Sequence, residues 1–275
     1  MKQRIKSFLF SEESFFMKHE TKNLFLRNRY LGKPARWIYS RPSLWRNLGY
    51  DKRQAEEYDR QTKAVMERVL LANSNCVDVG CHKGEVLREM LKLAPEGTHY
   101  AFEPIPYLYR ALVKSFQNVF VHQIALSDKP GVTTFHHVLD RPAYSGIRQR
   151  MYPSGDEIVE QIEVRQDTLD NVITKEVSVD FIKIDVEGAE LGVLKGAART
   201  IRDNKPVIVF EHSLGAADHY GTRPDEVYEF LTGPCGLSVS LMERWLRDEG
   251  PLSQEEFVKE FERNANYYFM AHALG

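Results

Sequence analysis

The chain has 275 residues, 43% of them hydrophobic, enough for one large packed domain and too many for a disordered chain. Its net charge of -2 conceals an uneven distribution: residues 1–53 carry 13 Lys and Arg against 4 Asp and Glu, and the remainder 24 against 35. The acidic body disfavours nucleic acid as a partner. No run reaches the roughly 18 apolar residues of a membrane span, and three cysteines, two of them in one motif, make no disulfide framework.

Residues 1–50 form a basic extension rich in aromatics and arginine, broken at Pro34 and Pro42, and read as short helices joined by turns. The spacing of Tyr58, Thr62, Val65, Met66 and Val69 predicts a helix over 51–72. Strands are expected at 76–79, 99–102, 119–122, 181–184 and 207–210, with helices at 84–93, 105–115 and 189–203 between them. That alternation predicts a mostly parallel sheet covered on both faces. An insertion at about 132–165 interrupts it with a meander, 132–138 and 162–164. The loop 140–156, containing Tyr144, Arg148, Arg150 and Tyr152, is expected to lie over the crevice as a substrate lid, where its arginines either read a carboxylate or phosphate or are simply solvated. A helix at 225–231 and strands at 237–242 and 266–271 complete a seven-stranded sheet in a domain spanning 51–275.

Four strand ends carry small or acidic residues, and strand ends are where an open α/β sheet binds ligands. The first is Asp78-Val79-Gly80-Cys81-His82-Lys83-Gly84. Gly80 removes a β-carbon where the chain must turn, and the helix after Gly84 offers amide hydrogens to a carboxylate. Asp78 is placed to face an amino group. His82 either touches the ligand or only stabilises the turn. Glycines at 80 and 84 do not make G-x-G-x-x-G, which argues against a dinucleotide.

Glu103, followed by Pro104, ends the second strand, where a carboxylate can accept both hydroxyl protons of a ribose. Ile124 and Ala125 follow the third strand, in position to hold a base between apolar groups. Asp185 and Glu187 follow the fourth strand, two residues apart and so directed alike if extended. Together these describe a site for S-adenosylmethionine, a nucleoside joined to an amino acid through a sulfonium.

With the segment Ile182-Lys183-Ile184-Asp185-Val186-Glu187-Gly188-Ala189-Glu190, the sequence resembles the FkbM-type S-adenosylmethionine-dependent methyltransferases. Also matching are Ala101-Phe102-Glu103-Pro104-Ile105-Pro106, Ala125-Leu126-Ser127-Asp128 and Asp167-Thr168-Leu169-Asp170. The resemblance covers roughly 74–213. It implies a Rossmann-like class I α/β fold and methyl transfer, usually to a hydroxyl of a sugar or secondary metabolite. Glu187 and Glu211 are nominated as the base, with His212 third. Asp185, Glu187 and Glu211 could also hold a hard cation, but no His or Cys cluster accompanies them and no metal is assigned. The alternatives kept are an N-methyltransferase, a glycan or peptide methyltransferase, and a binding protein without catalysis. A cytoplasmic location, a small-molecule acceptor and no integral membrane association are expected, with self-association left open.

Overall fold

A computed structural model describes residues 52–150 and 157–273. The basic extension 1–50 and Tyr152 of the expected loop lie outside the described residues.

Helix α1 (Lys52–Val69) leads into β1 (Cys76–Val79), α2 (Glu85–Leu93), β2 (His99–Phe102), α3 (Pro106–Ser115) and β3 (Val119–His122). After the insertion come β7 (Phe181–Ile184), α5 (Glu190–Gly196), α6 (Ala198–Asn204) and β8 (Val207–Glu211). The chain then forms α7 (Pro224–Thr232), β9 (Ser238–Ser240), α8 (Met242–Leu246), α9 (Gln254–Glu262) and β10 (Tyr268–His272).

The sheet runs β3-β2-β1-β7-β8-β10-β9, and β10 alone opposes its neighbours. This is the seven-stranded, Rossmann-like class I arrangement. The chain builds outward from β1 to β3, then returns to place β7 on the other side of β1. The order reverses between β1 and β7, and a crevice opens beyond such a reversal.

Alternation along the strands sorts the core into two layers. Val77, Val79, Ile182, Ile184, Ile208 and Phe210 pack under α5, α7 and α9. Cys76, Phe181, Val209 and Met270 face Tyr58, Val65 and Met66 of α1 and Leu87 and Met90 of α2.

The insertion is a second, three-stranded sheet. β5 (Gly131–Val138) pairs antiparallel with β6 (Val159–Asp167), and β4 (Ala125–Leu126) runs parallel to β6. Residues 125–126, expected only as cleft lining, are therefore strand as well. Helix α4 (Leu169–Val172) follows, its first turn capped by the Thr168 hydroxyl.

The helix expected over 189–203 divides at Ala197. Gly196 lies so close to β4 that a β-carbon would stand 2.0 Å from the Ser127 carbonyl oxygen. Asp170 then caps the second half, accepting from the amides of Arg199 and Thr200 at 2.8 and 3.0 Å. The strand expected at 237–242 keeps only Ser238–Ser240, because Met242 begins α8. Helix α9 was not anticipated, although Ser253 and Glu256 form a capping box at its start. Among the described residues no helix is long and apolar enough to cross a membrane. All three cysteines are buried free thiols.

Candidate active site

The ends of β1 and β7 meet at Gly80. Its φ is +74°, and a β-carbon there would lie 1.9 Å from the carbonyl oxygen of Asp185. The close approach that requires glycine is thus to the neighbouring strand. On the other side, the amides of Gly80 and Cys81 both donate to the Phe102 carbonyl, at 3.0 and 3.2 Å. The loop is pinned between β2 and β7. His82 adopts φ +48° and aims its own amide at Glu103.

Beside this loop opens a cleft that, with its solvent-open mouth, holds about 560 Å³ of empty space. Phe102, Ile124, Ala125, Leu126 and Phe135 supply its apolar surface, while Glu103, Pro104 and Ile105 form one rim. Gly80 and His82 lie at the β1 end, and Asp185, Val186 and Glu187 at the β7 end. Pro142, Ala143, Ser145 and Ile147, from the loop after β5, close the remaining side.

Glu103 is 4% exposed. Its Oε2 accepts from the His82 amide at 2.9 Å and its Oε1 from the Ile105 amide at 2.9 Å. Burial pushes its carboxyl up to about 7 against those two bonds. Each oxygen retains a lone pair. The bond to Ile105 also ties Glu103 to the residue just before α3, which starts at Pro106.

The β7 end is a charge network. Lys183 Nζ lies 3.0 Å from Asp185 Oδ2, to which the Tyr268 hydroxyl donates at 2.6 Å. Glu211 hydrogen-bonds the same carboxylate. Burial opposes ionisation of Asp185, but Lys183 and these donors bring it down to about 2. Glu211 is driven the other way, well above its ordinary range, by burial and then by the charges of Asp185 and Glu190. A hydrogen bond between two carboxyl groups needs a proton between them, and Glu211, the member pushed up, carries it, which removes it as a resting base. The nearby cations pair with other acids: Lys183 with Asp185, and Arg199 with Asp170.

Glu187 stands at φ +58°, past the end of β7, so it reaches the cleft through a turn and not by strand alternation. Glu190 braces that turn. It is 1% exposed, and its Oε1 accepts from the amides of Val186 and Gly188 at 3.1 and 3.0 Å. Glu187 forms an ion pair with Arg150, and both side chains are largely buried. Oxygens of Asp185, Glu187 and Glu211 lie within 4.8 Å of one another and could hold a divalent cation. Their charge is already offset by Lys183, Arg150 and the proton on Glu211.

Four expected residues do not line the cleft: Glu211 and three more, Asp78, Gly84 and His212. Asp78 is fully buried opposite Lys183 in the β1–β7 register. Neither carboxylate oxygen has a hydrogen-bond partner within normal distance and angle among the described residues, although the Leu87 amide is near enough to favour its charged form. Burial raises it to about 6, and Lys183 restrains the rise. Gly84, at φ +73°, makes room for Phe116, whose ring would meet a β-carbon at 2.6 Å. His212 stacks on Phe261 at 4.6 Å and Phe257 at 5.9 Å. Burial pushes it down to about 3, which leaves a neutral ring inside the core layer and away from the crevice.

Comparison with known proteins fits this geometry. The model of the methyltransferase FkbM domain matches residues 78–238, more than half of the chain. The chain belongs to the FkbM methyltransferase family. It is 28% identical over 147 residues to the 2-O-methyltransferase NoeI of Sinorhizobium fredii (strain NBRC 101917 / NGR234), a match covering 46% of this chain and 58% of that protein. Solved structures resembling it include the methyltransferase FkbM from Methylobacillus flagellatus KT, 13% identical, with a TM-score of 0.48 over 94% of this chain and 60% of that one. Another is a TehB-like SAM-dependent methyltransferase from Corynebacterium glutamicum, 11% identical, with a TM-score of 0.39 over 86% and 100%. The chain thus spans about three-fifths of the length of the first two relatives.

In this member of the FkbM family, sequence reasoning gave no role in the site to Lys183, Glu190 or Tyr268, and it placed Arg150 over the crevice without its partner Glu187. Lys183 had a signal: it precedes Asp185 by two and shares its face. Tyr268 pairs with Glu211 across an antiparallel register visible only after folding. The motif Asp167–Asp170 proves structural, since Thr168 caps α4 and Asp170 caps α6.

Proposed function

We propose that this FkbM domain binds S-adenosylmethionine and methylates a hydroxyl group of a small molecule, such as a sugar. The observation that carries the reading is Glu103: a buried carboxylate on the cleft rim, held by two amides, with lone pairs left for a vicinal diol. The apolar surface formed by Phe102, Ile124 and Leu126 suits an adenine, and Pro104 stiffens the rim next to it. Bound there, the cofactor supplies an electrophilic methyl group on a sulfonium.

The anionic Asp185 at the β7 end favours a cation in its vicinity. Asp78 adds negative potential from beneath the loop and makes no contact. Glu187 is the base of this reading, being a cleft-lining carboxylate, whereas Glu211 is protonated and His212 is enclosed. It takes the acceptor's proton as the new C–O bond forms, while alignment of the reactants supplies most of the acceleration. The name of the Sinorhizobium relative, a 2-O-methyltransferase, favours a hydroxyl over an amine.

Calorimetric titration with S-adenosylhomocysteine tests the cofactor. Saturable binding is expected, and a flat titration would end this reading. Glu187→Gln should retain that binding and lower kcat about 10²–10⁴-fold on the acceptor.

A further inference from the structure

We propose that Arg150 reads an oxyanion, a carboxylate or a phosphate, carried by the methyl acceptor, and that this contact frees Glu187 to take the acceptor's proton. The inference rests on the methyl-transfer reading above and names the acceptor's class.

Arg150 stands next to the cleft, ion-paired with Glu187, which lines it. The loop that carries it exchanges two backbone hydrogen bonds between Gly146 and His136, at 2.8 and 3.2 Å. Further along, the Arg148 amide donates to the Tyr220 hydroxyl at 3.0 Å, and the Arg148 guanidinium donates to the His219 carbonyl at 3.1 Å. On either side of the first anchor, Ser145 and Ile147 line the cleft. The Arg150 guanidinium stands 5.1 Å from the centre of the Tyr144 ring, and its side chain is 16% exposed.

Only part of its donor set is used. Nη1 engages Glu187, while Nε is buried without a hydrogen-bond partner among the described residues. A buried, unused charged donor is costly, and an incoming oxyanion recovers that cost with charge-assisted bonds. A neutral hydroxyl recovers less. The partner that Arg150 now holds is the carboxylate nominated as base, so the two roles are exclusive in the resting protein. An acceptor anion on the guanidinium weakens its hold on Glu187. The hydroxyl proton then passes to Glu187, the oxygen bonds the methyl carbon, and the electrons of the broken carbon–sulfur bond stay on sulfur.

The test is binding in the presence of saturating S-adenosylhomocysteine. D-glucuronate, D-glucose 6-phosphate and D-glucose are titrated into the wild type, Arg150→Gln and Glu187→Gln. At least one anionic sugar should bind ten times tighter than glucose, and which one identifies the oxyanion. Arg150→Gln should abolish that preference with an unchanged Kd for S-adenosylhomocysteine. Glu187→Gln, which removes the competitor, should sharpen it. Equal binding of charged and neutral sugars, no saturable binding of any, or a preference surviving Arg150→Gln overturns the inference while cofactor binding stands. Failure of the wild type to bind S-adenosylhomocysteine sinks the methyl-transfer reading and this one with it.

Discussion

The carbonyl oxygen of Asp185 occupies the space into which any side chain at Gly80 would grow, 1.9 Å from the position of its β-carbon. The two residues directly follow β1 and β7, the strands on either side of the reversal in strand order. Gly80 therefore sets the separation of the strands whose ends open the cleft.

Gly80→Ala should be severely destabilising. The positive φ costs about 1–2 kcal/mol for an L side chain, and overpacking a rigid carbonyl adds about 1–3 kcal/mol. A loss of about 3 kcal/mol or more in urea melts is expected, with S-adenosylhomocysteine binding lost in whatever protein remains folded. An alanine variant as stable as the wild type would show that the strand ends can part freely.

Glu103 should make cofactor affinity depend on pH. Ribose hydroxyls donate to its ionised form, and burial holds that carboxyl near 7 in the free protein. Affinity for S-adenosylhomocysteine should rise up to about tenfold per unit below pH 7 and level off above it. Glu103→Gln should weaken binding by about 1.5–3 kcal/mol and flatten this limb. Stability runs the other way: the folded carboxyl keeps a proton that the unfolded chain, at its ordinary 4.5, has released. The contribution of Glu103 to stability is thus full below 4.5 and is lost as pH rises through about 7. Glu103→Gln should remove that decline from thermal melts taken between pH 5 and 8.

Lys183 neutralises Asp185 at 3.0 Å and faces Asp78 across the register. Lys183→Met leaves two buried carboxylates without a cation, a change that costs about 3–5 kcal/mol. Both carboxyl pKa values then rise, so the loss should be greater at pH 8 than at pH 5. Adding Asp78→Asn should restore part of the stability, because it removes a charge that has no hydrogen-bond partner. If the double variant is no better than the single one, the two side chains do not interact.

Legibility followed sequence distance. Strands β1, β2, β3 and β7 have the bounds their apolar runs predict, and Gly80, Glu103 and Asp185 end the runs of β1, β2 and β7. Gly80, Glu103 and Asp185 were readable for the same reason: position at a strand end is a local property. The division of the helix at Ala197 was not readable, since Asp170, which caps its second half, lies 29 residues away from Arg199. Nor were the partners of the acids. Arg150 reaches Glu187 across 37 residues and Tyr268 reaches Asp185 across 83, and only the folded sheet sets those pairings. The misassignment of His212 was avoidable, because adjacent residues leaving a strand point to opposite faces. If Glu211 faces the crevice, His212 faces the other layer.

His212 should instead govern acid stability. Enclosed by Phe257 and Phe261, with no hydrogen bond to either ring nitrogen among the described residues, it stays neutral in the fold, and burial pushes it down to about 3. The unfolded chain protonates it near its ordinary 6.5. Its contribution is therefore full above 6.5 and is lost as pH falls toward 3, at about 1.4 kcal/mol per unit. His212→Phe keeps an aromatic ring in the stack and removes the titration. Against the wild type its stability should be similar at pH 8 and higher by about 2 kcal/mol near pH 5, read from urea midpoints at each pH. Methyl transfer, once an acceptor is in hand, should change little, because this ring lies in the core layer. A variant that loses activity while gaining acid stability would return His212 to the chemistry.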